Sequence, residues 1–179
     1  NDSGTSSTAY NGQRQGSASV VWSGGPANVG FAYNVQSVTG GAESETGMRL
    51  AGTFKFGSFT LGALFEQLAD IGGTSGADRA SMGVSGAFGF GNNVVKAQYF
   101  LTDEIDGLPE TGGNIMAIGY DYNFSKSTTG YVAYAVASND DNTDVYTPSS
   151  SDGGHGETVP GVTNGGSPNA LSVGLEIKF

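Results

Sequence analysis

The stretch Ala170-Leu171-Ser172-Val173-Gly174-Leu175-Glu176-Ile177-Lys178-Phe179 ends the chain and alternates between apolar and polar side chains. Successive side chains of a β-strand point to opposite faces of a sheet, so the alternation predicts one apolar and one polar face. Such a strand suits the wall of a membrane β-barrel, where one face meets lipid and the other a polar lumen. A soluble β-sandwich would bury the same apolar face in protein, so this strand alone leaves both alternatives open.

The composition narrows the choice of protein class. The chain has 179 residues, of which 37% are hydrophobic, and no apolar run approaches the roughly 20 residues that a membrane helix requires. Barrel strands of about ten residues carry a much weaker hydropathy signal, so a membrane barrel stays possible. The absence of cysteine excludes a disulfide or a thiolate metal site. Residues 1–5 have neither the basic start nor the apolar core of a signal peptide, and we expect a processed or partial chain.

Nine segments have the alternation expected for strands, and the connections between them are short and long in turn. This pattern predicts an all-β, transmembrane, antiparallel up-and-down β-barrel with tight turns at one end and large loops at the other. An odd number of strands in lipid would leave two unpaired edges, so we expect part of a larger barrel or one unrecognised strand. The predicted strands are 14–23, 27–36, 46–56, 58–68, 79–89, 93–102, 113–124, 128–138 and 168–179.

Charged and aromatic residues follow the same alternation. In the segment 46–56, Leu50 and Phe54 share a face, opposite Arg49 and Lys55. The charged residues predicted to face the lumen are Arg49, Lys55, Glu66, Lys96, Asp121, Glu176 and Lys178, with Arg79 near the mouth. Aromatic residues gather near the short turns, as in the girdle of a membrane interface: Trp22, Phe54, Phe56, Phe59, Phe88, Tyr122, Phe124 and Phe179.

The acidic residues are concentrated in the loops. Fourteen of the 17 lie in predicted long loops or at their edges, and the net charge of the chain is −10. Acidic residues keep loops solvated, and an acidic rim would also concentrate cations at a pore mouth. The two interpretations are compatible, and the second gives the hypothesis of a mild cation preference. An acidic surface argues against binding of nucleic acid.

Two regions near the C-terminus carry a family resemblance. Gly119-Tyr120-Asp121-Tyr122-Asn123-Phe124-Ser125-Lys126-Ser127-Thr128-Thr129-Gly130-Tyr131-Val132-Ala133-Tyr134 resembles the penultimate hairpin of the general trimeric porins of Gram-negative bacteria. In that family a Gly-x-x-Tyr strand leads through a Ser-Lys-x-Thr turn to a Tyr-x-x-Tyr strand. The stretch Val173-Gly174-Leu175 followed by Phe179 resembles the family's final strand, and residues 25–33 resemble an earlier turn.

The resemblance implies an outer-membrane diffusion channel that uses neither chemistry nor a cofactor. Porins of this family have sixteen strands and form trimers, so residues 1–179 would be a single domain containing strands eight to sixteen. The N-terminal strands and the constricting loop would be absent, and the missing half of the barrel would be a partner. Outer-membrane lipid and the barrel-insertion machinery are the other implied partners, and Phe179 is implied to be part of the assembly signal.

The resemblance also suggests a role for the strand bases. In the family, wall bases face acids on the constricting loop, which produces a transverse field across the pore. Arg49 and Lys96 are the best candidates for such a wall, because both are predicted to face inward from strands. The alternative is a structural ion pair in the lumen, such as Glu66 with a base on a neighbouring strand.

Other functions find less support in the residues. The single histidine, His155, lies among glycines in the longest loop, and no second histidine exists to build a buried catalytic triad, so we expect no enzyme. Asp140, Asp141 and Asp144 offer oxygen ligands but lack the glycine and terminal glutamate of an EF-hand, so they are weak metal candidates. Two competing functions stay open: a structural or adhesive barrel with partner-binding loops, and a soluble secreted β-sandwich that binds carbohydrate.

Overall fold

The computed structural model describes residues 14–148 and 162–179, which form one antiparallel sheet of nine strands in sequence order. The predicted up-and-down strand order is therefore confirmed, and the predicted ends agree with the observed ones within two residues. The strands are β1 (Gln15–Gly24), β2 (Ala27–Ser37), β3 (Ser44–Phe56), β4 (Phe59–Ala69), β5 (Arg79–Phe90), β6 (Asn93–Thr102), β7 (Gly113–Asn123), β8 (Thr128–Asn139) and β9 (Asn169–Ile177). A short 3₁₀ helix, Ile71–Gly73, lies in the β4–β5 loop. None of the helical residues described is part of a segment able to cross a membrane.

Glycines with a positive φ angle close three of the four short turns. Gly25, Gly57 and Gly91 have φ angles of 54°, 58° and 57°, in the two-residue connections after β1, β3 and β5. Two-residue hairpin loops need this left-handed backbone, which glycine adopts without a steric penalty. The fourth short turn, after β7, is closed by the amide of Ser125, which donates to the carbonyl oxygen of Thr128 at 3.2 Å. These turns bring consecutive strands into direct antiparallel pairing.

The register of the strands collects most of the large apolar side chains on one face, which we call the apolar face. Leu50 of β3, for example, lies opposite Phe31 of β2 and Phe65 of β4, and the same parity continues to the outermost strands. Shifting any one strand by a single residue would turn its whole apolar set to the other face. The sequence alternation and the hydrogen-bonded register are therefore mutually consistent, as the prediction required.

The sheet has almost no protein core. Among the described residues only Ala77 and Ala137 are buried apolar side chains, whereas Val173 of the apolar face is 76% exposed. Within residues 14–148 and 162–179 no second sheet covers this face, so the β-sandwich alternative is wrong. Exposing an apolar surface of this extent to water is unfavourable, and it marks a surface that contacts lipid or another protein.

Aromatic side chains lie where the sequence predicts them, near the short turns. The rings of Phe59 and Phe88 stack with centroids 4.5 Å apart, and those of Tyr122 and Phe124 meet edge to face at 4.9 Å.

The sheet is open in the part of the chain that the structure describes, because β1 and β9 are its two edges and do not pair with each other.

Candidate pore-lining face

The face opposite the apolar one, which we call the polar face, holds all the charged strand residues predicted to face a lumen. Alternation on each strand and pairing across strands place them on this face. Their role in a pore stays a prediction, while their mutual arrangement follows from the structure. The residues are Arg49, Lys55, Glu66, Arg79, Lys96, Asp121 and Glu176, and Lys178 follows just after the end of β9.

Arg49 and Glu66 form an ion pair between two directly opposite residues of β3 and β4. The Nε of Arg49 donates to Oε2 of Glu66 at 2.6 Å, and Nη2 of Arg49 contacts the same oxygen. The arginine side chain is 57% exposed and the glutamate side chain 20% exposed. A guanidinium that is paired and still accessible carries little net field, although it can contact a passing solute.

Lys96 of β6 reaches diagonally to the next strand. Its Nζ lies 2.7 Å from Oδ2 of Asp121 on β7, whereas the residue directly opposite Lys96 is Gly119. Because Gly119 has no side chain, the lysine stem crosses this position with its Cε 3.5 Å from where a Cβ would stand. Both bases proposed as a basic wall are therefore neutralised by carboxylates of neighbouring strands, the arrangement expected of the structural ion-pair alternative.

Lys55 differs from the two paired bases. It lies opposite Thr60 near the turn end of β3 and makes no ion pair with any residue that the structure describes. Through Thr60 and Ala87, its cross-strand row leads to Lys96 three strands away. Lys55 therefore contributes an uncompensated positive charge near the turn end of the polar face.

Arg79, at the loop end of β5, is held by a loop residue that the sequence analysis missed. Its Nη1 donates to the hydroxyl oxygen of Tyr146 at 3.3 Å, and its buried Nε has no hydrogen-bond partner among the described residues. Asn139 fixes Tyr146 by accepting from the Tyr146 amide at 2.8 Å and donating to the Tyr146 carbonyl oxygen at 2.9 Å. The tyrosine ring occupies the space left open by Gly113. No local sequence signal marks Tyr146, because it lies beyond the periodic part of β8.

The C-terminal residues lie at the turn end of the sheet. The amide of Lys178 donates to the carbonyl oxygen of Ser127 at 2.9 Å, which places the end of the chain beside the β7–β8 turn. Nζ of Lys178 lies 3.3 Å from Oε1 of Glu176, and both side chains are more than half exposed. Phe179 is fully exposed next to this pair.

The structure gives no support to a metal site in the part of the chain that it describes. Within residues 14–148 and 162–179, no three histidine, cysteine or acidic side chains are grouped so that they could hold a metal ion. Asp140 instead organises the β8–β9 loop, because its carbonyl oxygen accepts from the amides of Thr143 and Gly165. His155 lies outside the described residues, as do the acids Asp2, Asp152 and Glu157.

Comparison with known proteins assigns the family. A sequence profile described as Gram-negative porin matches residues 1–142, while no curated protein sequence matches the chain significantly. The fold is similar to that of the anion-selective porin from Comamonas acidovorans, with a TM-score of 0.67 and 23% identity over 93% of this chain and 49% of that one. The fold is also similar to that of a second porin, whose structure was refined at 1.8 Å resolution. The TM-score is 0.60 and the identity 16%, over 92% of this chain and 51% of that one. The chain thus spans about half the length of each solved porin. It belongs to the family of Gram-negative porins.

Proposed function

We propose that this chain is the C-terminal part, strands eight to sixteen, of a porin barrel in the bacterial outer membrane. The barrel forms a water-filled channel through which small hydrophilic solutes and ions diffuse passively, without catalysis or a cofactor. The observation that carries the proposal is the separation of the two faces: all charged strand residues lie on one face, and the other holds large apolar side chains from all nine strands and no charge. A wall between lipid and water needs this separation.

The partners of the chain follow from its two open edges. Unpaired edges of β1 and β9 would be prohibitively unfavourable in lipid, because their amide and carbonyl groups would lack hydrogen bonds. The remaining strands of the barrel, with the constricting loop, supply the pairing in this proposal, and the similarity to porins about twice as long supports it. The resemblance to the general porins adds a homotrimer and recognition of Phe179 by the barrel-insertion machinery.

We further propose a mild preference for cations. The acids in the loops outnumber the bases, and the two ion pairs on the polar face leave little net field from Arg49 and Lys96. Lys55 and Arg79 oppose this preference, since neither has a carboxylate partner among the described residues. The balance of these charges sets the selectivity, because ions in a pore respond to the field of the charges that line it.

The experiment that tests the function is conductance of the detergent-extracted porin in a planar bilayer, preceded by its intact mass under denaturing conditions. A mass near twice 18.1 kDa, or a stable companion of similar size, together with stepwise ohmic currents, supports the channel. An absence of current from a correctly folded barrel would favour the structural or adhesive alternative. Reversal potentials in a salt gradient then report selectivity, and faster passage of anions, the property named for the Comamonas porin, would overturn the cation preference.

A further inference from the structure

One cross-strand row of the polar face contains no polar side chain. It includes one residue from each of the first eight strands, and consecutive members are directly opposite each other in the hydrogen-bonded register. The neighbouring rows carry charges, hydroxyl groups and amides, so this row interrupts the polar face. Its members, which we call the apolar row, are two glycines together with Val21, Ala51, Leu64, Phe100, Ile115 and Ala137.

The two glycines turn part of the apolar row into a groove. Gly30 lies between Val21 and Ala51, and Gly83 lies between Leu64 and Phe100, so larger side chains alternate with positions that have none. The phenylalanine ring leans over Gly83, where a Cβ atom would clash with it. The groove between them has a volume of about 360 Å³. Val21 is 71% exposed and Phe100 is 36% exposed, so a molecule on the polar side can reach both.

The Arg49–Glu66 ion pair does not line the groove but lies one cross-strand row beyond Ala51 and Leu64, which do, and it offers charges of both signs. Arg49 and Glu66 are two residues along their strands from Ala51 and Leu64, a separation of roughly 7 Å. Both contacts of the pair involve Oε2 of the glutamate, so Oε1 and the arginine Nη1 make no hydrogen bond to another described residue. One donor and one acceptor of opposite charge are thus free beside an apolar groove.

We propose that the groove and the ion pair form a binding site in the lumen for zwitterionic amphiphiles, that is, small apolar or aromatic amino acids. The carboxylate accepts from Nη1 of Arg49, the ammonium group donates to Oε1 of Glu66, and the apolar side chain lies in the groove against Leu64 and the ring of Phe100, which itself covers Gly83. This inference rests on the proposed porin function, for which it names a solute class.

Charge complementarity selects this class over simple ions and over uncharged solutes. A lone anion would be attracted by Arg49 but repelled by Glu66. A lone cation would be attracted by Glu66 but repelled by Arg49. The other polar groups of the groove, Asn28, Thr53, Ser85 and Gln98, are uncharged. They add hydrogen-bonding capacity without favouring either sign. A polar zwitterion such as glycine would find the charges but leave the groove empty.

The test is single-channel conductance of the complete porin with phenylalanine, glycine or phenylacetate added to one side. We expect saturable block by phenylalanine, and weaker block by glycine and phenylacetate by about tenfold each, since a lost contact of this size changes affinity by that factor. A conducting channel that responds equally to all three solutes would overturn the inference and leave the proposed function intact. A preparation without current would remove the basis of both.

Two variants locate the site, and one serves as a control. Gly30→Val places an apolar side chain in the groove, and its Cβ would stand at an ordinary 3.6 Å from Val21, so the first added atom meets no clash. We expect it to abolish the preference of phenylalanine over glycine, whereas Arg49→Gln with Glu66→Gln abolishes the preference over phenylacetate. Ser172→Val adds similar apolar volume to the polar face of β9, outside the row, and should change neither preference. Unchanged preferences in the first two variants, with the open-channel conductance retained, would show that the solute binds elsewhere or that another segment of the barrel occupies the groove.

Discussion

The two faces of this sheet are formed by the same strands but place different requirements on their side chains. On the apolar face any large apolar side chain is suitable at a given position. Phe31, Leu50 and Phe65 are neighbours there, but none of them needs a specific partner. On the polar face two bases depend on a particular neighbour: Arg49 on Glu66 directly opposite, and Lys96 on Asp121 diagonally. The comparison indicates that the apolar face requires only apolar character at the correct register, while the polar face depends on which residues the register makes neighbours.

The largest effect should come from moving a charge between the faces. Ile118 and Ala117 are adjacent in the middle of β7 and point to opposite faces, and Ile118 is 56% exposed on the apolar face. An arginine in the lipid-facing position costs about 2–4 kcal/mol near the membrane midplane, so Ile118→Arg should destabilise the barrel by that amount. Ala117→Arg, with its charge on the polar face, should cost much less.

Unfolding of both variants by guanidinium in lipid vesicles would measure this difference. Equal destabilisation would mean that the apolar face does not contact lipid, and the proposed membrane wall would then be wrong.

A smaller change in stability should distinguish substitutions at two glycines of β5 that lie on opposite faces. A Cβ at Gly83 would clash with the ring of Phe100, whereas a Cβ at Gly86 would meet only Leu61 at an ordinary 3.7 Å. Gly83→Ala should therefore destabilise by about 1–3 kcal/mol through overpacking. Gly86→Ala should be neutral or stabilise by up to about 1 kcal/mol, because alanine restricts the unfolded chain.

The free energy of unfolding of the two alanine variants, measured side by side, checks this prediction. Combining Gly83→Ala with Phe100→Leu should recover part of the loss. No recovery would show that the ring does not lie over Gly83 in the membrane, and would remove one side of the proposed groove.

The sequence predicts most of the fold because its signals are local. Period-two alternation identifies the strands, and glycines such as Gly57 and Gly91 mark the tight turns, so the boundaries agree within two residues. Alternation also places Arg49 and Lys96 on the polar face. It cannot assign their partners, because the diagonal reach of Lys96 depends on the open space at Gly119 and on side-chain rotamers.

Two features of the polar face arise only from the assembled sheet. Leu64 of β4 and Phe100 of β6 are apolar residues on the polar face, and only the register through Gly83 makes them neighbours. Tyr146 reaches Arg79 from a loop distant in sequence, where no periodicity predicts its direction. Contacts that require several strand pairings or an irregular loop are therefore beyond reasoning from single segments.

The smallest expected change in stability concerns the Arg49–Glu66 ion pair. Its size distinguishes a structural role of the pair from a functional one. Single and double glutamine variants define a coupling free energy, which we expect at about 0.2–1 kcal/mol because Arg49 is more than half exposed. The coupling should fall in concentrated salt, since the screening length shortens from about 10 Å at 0.1 M to about 3 Å at 1 M. Glu176 and Lys178, which are both more exposed and lie two residues apart in sequence, serve as the control pair and should show weaker coupling.

The same variants also report on the pore. Arg49→Gln leaves the charge of Glu66 uncompensated and should shift the reversal potential toward cations, whereas Glu66→Gln should shift it toward anions. A coupling well above 1 kcal/mol with unchanged reversal potentials would identify the pair as a structural clamp between β3 and β4. Weak coupling with opposite shifts would instead mean that the pair contributes little to stability, and that its charges act on what passes through the channel.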